Sequence, residues 1–327
     1  MIEFPTVFIL GAGASAPFGF PLGRKLLTDI CNNLDNRHSR FKSVLLDCGF
    51  KDDLINAFKD DLRMSMQSSV DLFLKVNSKI RPEYIDVGKA AIACALISYE
   101  KPEVLCQRKN KQSWYEYLFS KLETDPYKFH QNKLSVITFN YDRSFEQFLF
   151  SALKKSYRLD DDKAAQIVHS IPIIHVYGQL GAFPFLGLKN ERYYTPELKP
   201  ELVNLCASCI EIINADKDES PKFSQAHELI KNSHSYRTCF LGFGFNEVNV
   251  KRLIGKFKQE LELSNKQKWA TFFGSAYKIS GGEMGERKFI KTLFGGDIKL
   301  ELGKENEDIV TYLRNQSDNI FLRRKSQ

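Results

Sequence analysis

Thr6-Val-Phe-Ile-Leu-Gly-Ala-Gly-Ala-Ser-Ala-Pro-Phe-Gly-Phe-Pro-Leu-Gly-Arg24 is the stretch on which the fold turns. An apolar run ends abruptly at Gly11, and Phe8 to Leu10 have the bulk and branching of a buried strand. Gly11 and Gly13 allow a tight turn and close approach to a ligand, which is how a parallel sheet presents a strand end to a phosphate-bearing nucleotide. The spacing Gly11-x-Gly13-x-x-Ala16 fits the permissive dinucleotide fingerprint. A dehydrogenase would start a helix at once and end its second strand in an acid about twenty residues on. Here Pro17, Gly19, Pro21 and Gly23 break an immediate helix, and Asp29 and Asp35 lie in a helical pattern. The turn therefore opens into a loop able to fold over a nucleotide.

Outward from this stretch the pattern is helical for a long way. Leu26, Leu27, Ile30 and Leu34 mark a helix over 24–36, and no strand follows until about 130, so 31–130 reads as a helical insertion. Within it Ser69 is a capping candidate, and Asp71 reads as an exposed first-turn acid. Leu134 to Phe139 is the next buried strand and ends in Asn140-Tyr-Asp142 before a helix over 143–155. Open α/β sheets bind ligands at such strand ends, although Asn140 and Asp142 also suit helix capping. Residues 157–170, with Asp160-Asp-Asp162, read as a solvated connection. Ile171 to Val176 is a strand carrying His175, and 180–235 is loop-rich, a second insertion. Thr238 to Phe245 and Lys268 to Phe273 are further strands, with Asn246 opening a helix between them. A helix over 283–294, a strand at Ile298–Leu302, a helix over 306–314 and a basic tail at 321–325 complete the chain.

Composition narrows the class. The chain has 327 residues, enough for one large domain or two moderate ones. A net charge of +7 permits an anionic ligand without demanding nucleic acid, which we expect to be engaged only indirectly. Seven scattered cysteines suit a reducing compartment, so a cytoplasmic location is expected. The longest apolar stretch, Ala90 to Tyr99, is too short for a bilayer, so no membrane is expected.

Taken together, the strand ends resemble the sirtuin family. Its Gly-Ala-Gly-x-Ser loop is matched by Gly11-Ala12-Gly13-Ala14-Ser15, followed by Gly19-Phe-Pro21 and Arg24. Its Thr-x-Asn-x-Asp strand end is matched by Thr138-Phe-Asn140-Tyr-Asp142, and its His-Gly pair is approximated by His175-Val-Tyr-Gly178. Leu241-Gly242-Phe243-Gly244, followed by Asn246, matches a later nucleotide-contacting strand exit. The sequence departs from the family in having only one Cys-x-x-Cys, Cys206 to Cys209, where zinc-binding sirtuin deacetylases have two, so no metal is expected. It departs again at Tyr177, which stands directly before Gly178 where the family has its catalytic His; alternation along a strand puts positions 175 and 177 on one face.

These departures look like the sirtuin-like NAD hydrolases of bacterial antiphage defence. The resemblance implies an α/β, Rossmann-like parallel sheet with helices on both faces and a large helical insertion. It implies an NAD-binding domain over 1–280 and a C-terminal extension over 281–327. NAD would be the substrate, cleaved at its nicotinamide–ribose bond. Asn140 and His175 are the expected catalytic residues, with Asn140 on the ribose or a water and His175 as general base. Gly11, Ala12, Gly13, Ser15, Pro21, Arg24, Asp142, Gly242, Phe243 and Asn246 are the expected nucleotide contacts. It further implies a homo-oligomer and a companion defence protein such as an ATPase or an Argonaute-type sensor. An NAD-dependent protein deacylase and a non-catalytic NAD or ADP-ribose sensor are the alternatives.

Overall fold

The computed structural model describes residues 1–36, 38–107, 111–212, 220–233, 237–263, 270–279, 285–295 and 298–321. Its strands are β1 (Thr6–Leu10), β2 (Leu134–Thr138), β3 (Ile173–His175), β4 (Arg237–Leu241), β5 (Ala270–Gly274) and β6 (Ile298–Leu302). They form one parallel sheet in the order β3-β2-β1-β4-β5-β6. Every residue of β1 and β4 is buried, as expected for central strands of a sheet covered by helices. This strand order, with helices packed around the sheet, is an α/β Rossmann-like fold.

The register sets where chemistry can occur. Leu10 lies opposite Thr138 on one side and Leu241 on the other, and Thr138 lies opposite His175. The carboxyl ends of β1, β2, β3 and β4 therefore finish level, and their exit loops meet at one edge. The strand order reverses between β1 and β4, the crevice where such sheets take ligands.

All described elements between β1 and β2 are helical, from Gly23–Asp35 to the 3₁₀ turn at Pro126–Gln131. The helix Tyr84–Ile97 is almost wholly buried, and Gly23–Asp35, Arg40–Asp47, Asp52–Met64 and Val70–Asn77 pack around it. Directly after it, Glu100 is fully buried and pairs with Arg143 and Arg192. Arg143 also donates to the carbonyls of Ala182 and Arg192 at 3.1 and 2.7 Å. One carboxylate thus joins the helical stretch, the exit of β2 and the loop after β3.

Several expectations need correction. Within the stretch expected as a C-terminal extension, the described residues join the sheet: β6 pairs along β5, and the helix Ile309–Asn315 buries Val310, Tyr312 and Leu313. The expected connection over 157–170 contains the helix Asp161–His169, because Asp160 caps it by accepting from the Lys163 amide at 2.8 Å. Asp71 is half-buried rather than exposed, and the Tyr141 hydroxyl donates to it. The basic tail expected at 321–325 lies outside the described residues beyond Phe321.

Candidate functional site

The loop after β1 does not open directly. A single helical turn, Ala12–Ser15, follows Gly11 and passes into a 3₁₀ turn, Ala16–Phe18, that stops at Gly19 with φ +94°. The prolines and Gly19 end the helix one turn later than their positions suggest. Its glycines answer to the neighbouring loop. A Cβ on Gly11 would lie 2.7 Å from the Gly242 carbonyl oxygen, and one on Gly13 2.8 Å from the same atom. The Gly13 amide donates to that oxygen at 2.9 Å. Gly242 itself has φ +57°, and its amide donates to Ser275 Oγ at 2.9 Å. The exits of β1 and β4 are thus locked back to back at the crevice. From outside, the buried Trp114 donates its indole N–H to the Ala14 carbonyl at 2.8 Å, and Tyr115 stacks on Phe18.

The exit of β2 meets the same loop. Asn140 Nδ2 donates to the Gly11 carbonyl at 3.0 Å and to Ser15 Oγ at 3.1 Å. Gly11 O can only accept, so the amide nitrogen must face it and Oδ1 must face the other way. Asn140 Oδ1 takes no hydrogen bond from a described residue, and the side chain is half-buried. Asn140 therefore caps no helix. Asp142 is buried and accepts from Ser15 Oγ and the Ser144 amide, each at 3.1 Å, and from the Ser144 hydroxyl. Burial pushes its carboxyl above the usual range, against the pull of the two serine hydroxyls. The acid anchors the start of the helix Ser144–Tyr157, and Tyr115 closes the network at 2.8 Å from Ser144 Oγ.

His175 and Tyr177 part company. The Gly178 amide donates back to the His175 carbonyl at 3.0 Å, and Gly178 has φ +80°, so the strand turns immediately after His175 and its alternation stops. His175 faces the helix Ser144–Tyr157: Nε2 lies 2.6 Å from Glu146 Oε1, and Nδ1 lies 2.8 Å from the Asn140 main-chain oxygen. Both ring nitrogens are engaged, so in this arrangement neither takes a proton from a substrate. The expected general base is thus held through both of its nitrogens. Burial disfavours the charged ring, but the Glu146 carboxylate and the two hydrogen bonds outweigh it and raise the His175 pKa. Tyr177 instead packs edge-on to Phe139 and Phe223 and donates its hydroxyl to Asn249 Oδ1 at 2.8 Å. Burial pushes its phenol above the ordinary value, although Arg252 opposes this, so it is a neutral donor near pH 7.

The remaining expected contacts divide. Ala12 is exposed on the turn after Gly11, and Pro21 is buried just before the helix Gly23–Asp35. Arg24 is exposed in that helix's first turn, and its side chain makes no hydrogen bond or ion pair with a described residue. Phe243 is buried among Phe139, Phe240 and Phe245. Asn246 accepts from the Val248 amide at 3.1 Å at the start of the helix Glu247–Leu263. Cys206 is buried in the helix Pro200–Cys209, and Asn190 donates to Cys209 Sγ at 3.5 Å. A cavity of about 690 Å³ runs along the free edge of β3, with Glu146 in its wall. Sequence reading missed Ser144, Glu146, Trp114 and Tyr115. Only Glu146 left a signal, standing one helical turn after Asp142.

Residues 134–290 match the family model described as a SIR2-like domain. The match opens at the first residue of β2 and includes Asn140, Asp142, His175 and Gly242, while β1 and its loop lie outside it. No curated protein matches the chain. A SIR2-like domain implies NAD binding and is consistent with an NAD-utilising enzyme. No helix among the described residues is long and apolar enough to cross a membrane.

Proposed function

We propose that the chain binds NAD as substrate and hydrolyses its nicotinamide–ribose bond, releasing nicotinamide and ADP-ribose. One observation carries this reading. Asn140 is clamped through both amide hydrogens at the carboxyl edge of the sheet, leaving Oδ1 as a fixed acceptor without a protein donor among the described residues. Such an acceptor suits a ribose hydroxyl or an attacking water. The leaving nicotinamide departs as a neutral base, so no general acid is required. Holding the ribose and water in place and stabilising the oxocarbenium-like centre are then the main demands on the protein. Asp142 braces the loop through Ser15, and the exposed Ala12 and Arg24 would serve the phosphates.

The Gly-Ala-Gly-Ala-Ser and Asn-Tyr-Asp segments support placing this reaction in antiphage NAD depletion. Such an enzyme must be held inactive until needed. Exposed Met64, Met66 and Ile80 on the helical stretch support gating by a second copy or a companion ATPase or Argonaute-type sensor. A second reading, a sensor that binds NAD or ADP-ribose without turnover, is favoured by the engagement of both His175 nitrogens. Nicotinamide release measured beside NAD affinity, with and without an acyl-lysine peptide, separates hydrolase, sensor and deacylase. Asn140→Ala should lower release by about 10²-fold or more while the folded variant still binds NAD. Unchanged release in that variant would remove Asn140 from the chemistry.

A further inference from the structure

We infer that Glu146 is a positioning residue, and that through His175 it makes the seating of Asn140 depend on a doubly protonated imidazole. The inference rests on the proposed reading for its activity readout, but its geometry stands apart from it. The chain of contacts is short: Glu146 Oε1 to His175 Nε2 at 2.6 Å, and His175 Nδ1 to the Asn140 carbonyl at 2.8 Å. Glu146 and His175 are both buried.

The proton count decides the behaviour. The Asn140 carbonyl can only accept, so Nδ1 must carry a hydrogen to bond it. An ionised Glu146 also only accepts, so Nε2 must carry one too. The imidazolium satisfies both partners, and with the carboxylate it forms a neutral pair that does not oppose positive charge developing at the ribose. When the ring loses a proton, the carboxylate claims the remaining hydrogen at Nε2. Nδ1 then turns a lone pair on the Asn140 oxygen, and the contact becomes repulsive. Asn140 loses the anchor on its carbonyl, while its amide still donates to Thr138 Oγ1 and its side chain still holds Gly11.

Other groups face the ring. Asp142, from the exit of β2, favours the charged ring, as Glu146 does. Lys189, Cys209, Glu211 and Lys222 line the cleft that His175 borders, and Lys222 is neutralised by Glu211 at 2.6 Å. The Glu146 pair raises the His175 pKa, so the bond to Asn140 is complete below about 6.5, the unperturbed imidazole value, and is lost as pH rises through the higher folded value.

The test compares wild type, Glu146→Gln and Glu146→Leu in nicotinamide release from about pH 6 to about pH 10. Wild type should lose kcat on an alkaline limb with little change in KM. Glu146→Gln should lose that limb, because an amide N–H can donate to Nε2 and keep the hydrogen on Nδ1 in the neutral ring. Glu146→Leu leaves the ring unheld and should lower kcat by about 10–10²-fold at every pH. Imidazole NMR of His175 reads the same protons without turnover: an imidazolium on the acid side of the wild-type limb, and a neutral Nδ1–H ring in Glu146→Gln at the same pH. A wild-type protein that binds NAD but releases no nicotinamide sinks the hydrolase reading alone, and NAD affinity across the same pH range then replaces kcat. An alkaline limb shared by wild type and Glu146→Gln, or a neutral Nδ1–H ring in wild type at high pH, overturns the proposal.

Discussion

Gly242→Ala should break the contact between the two strand exits, and the structure sets how badly. A Cβ at 242 would stand 2.1 Å from the Ala14 amide nitrogen and 2.3 Å from the Gly13 carbonyl carbon, both backbone atoms. No rotamer change relieves such an overlap, so the loops must part by about 1 Å, at an overpacking cost of about 1–3 kcal/mol. The left-handed conformation at φ +57° adds about 1–2 kcal/mol for a residue with a side chain. Losing the Gly13 amide bond to Gly242 O removes about 1 kcal/mol more. The total is about 3–6 kcal/mol, a fall in Tm of roughly 4–9 °C for a chain of 327 residues. Gly244→Ala is the control: nothing lies within 4 Å of its Cβ position and its φ is ordinary, so its effect should stay within about 0.5 kcal/mol. Thermal and urea unfolding of both variants decide the matter, with NAD affinity measured on the folded fraction. If Gly242→Ala melts with wild type, or Gly244→Ala falls as far, the glycines do not serve loop-to-loop packing.

Further outcomes follow from the same contacts. Burial raises the Asp142 pKa, so wild-type stability tied to this group is present below about pH 3.8 and declines as pH rises through the higher folded value. Asp142→Asn should therefore gain Tm relative to wild type between acid and neutral pH in a melting series; a constant difference across pH would refute the burial effect. Arg143→Met removes the guanidinium that donates to three carbonyls and leaves Glu100 with one cation, and should cost about 3–5 kcal/mol in denaturant unfolding. Adding a chelator should leave Tm unchanged, and a fall on chelation would point to a metal that the cysteines were not expected to hold. Nicotinamide release per chain should rise with protein concentration if assembly gates activity, and a dilution series at constant specific activity would count against gating.

The sheet was legible because buried parallel strands leave continuous apolar runs, and β1, β2 and β4 are such runs, ending at glycine or asparagine. The exits were legible as places where polar or flexible residues follow those runs. Partners across the chain were not. Nothing local tells that Gly11 is a glycine because of Gly242, or that Asn140 holds Gly11 across 129 positions. The placing of His175 and Tyr177 on one face failed for a local reason. Strand alternation was carried one residue past the strand, and the turn closed by Gly178 sent the two side chains to different neighbours. Asp160-Asp-Asp162 misled because a helix cap and its first-turn acids resemble a solvated loop in composition.

The carboxylate of Glu100, shared by Arg143 and Arg192, also bears on how the molecule can come together and be altered. Each of the three lies on a different stretch of chain, and docking the two arginines without the acid would strand two cations away from water, at several kcal/mol. Partly assembled forms are thereby penalised, and the helical stretch, the strand exit and the following loop are tied into one cooperative transition. Amide exchange should show these three regions opening together at one free energy rather than in sequence. The same linkage makes the helical stretch hard to excise: a shortened chain that drops residues 31–130 inherits two buried arginines with no acid between them, so a trimmed domain would first need both replaced.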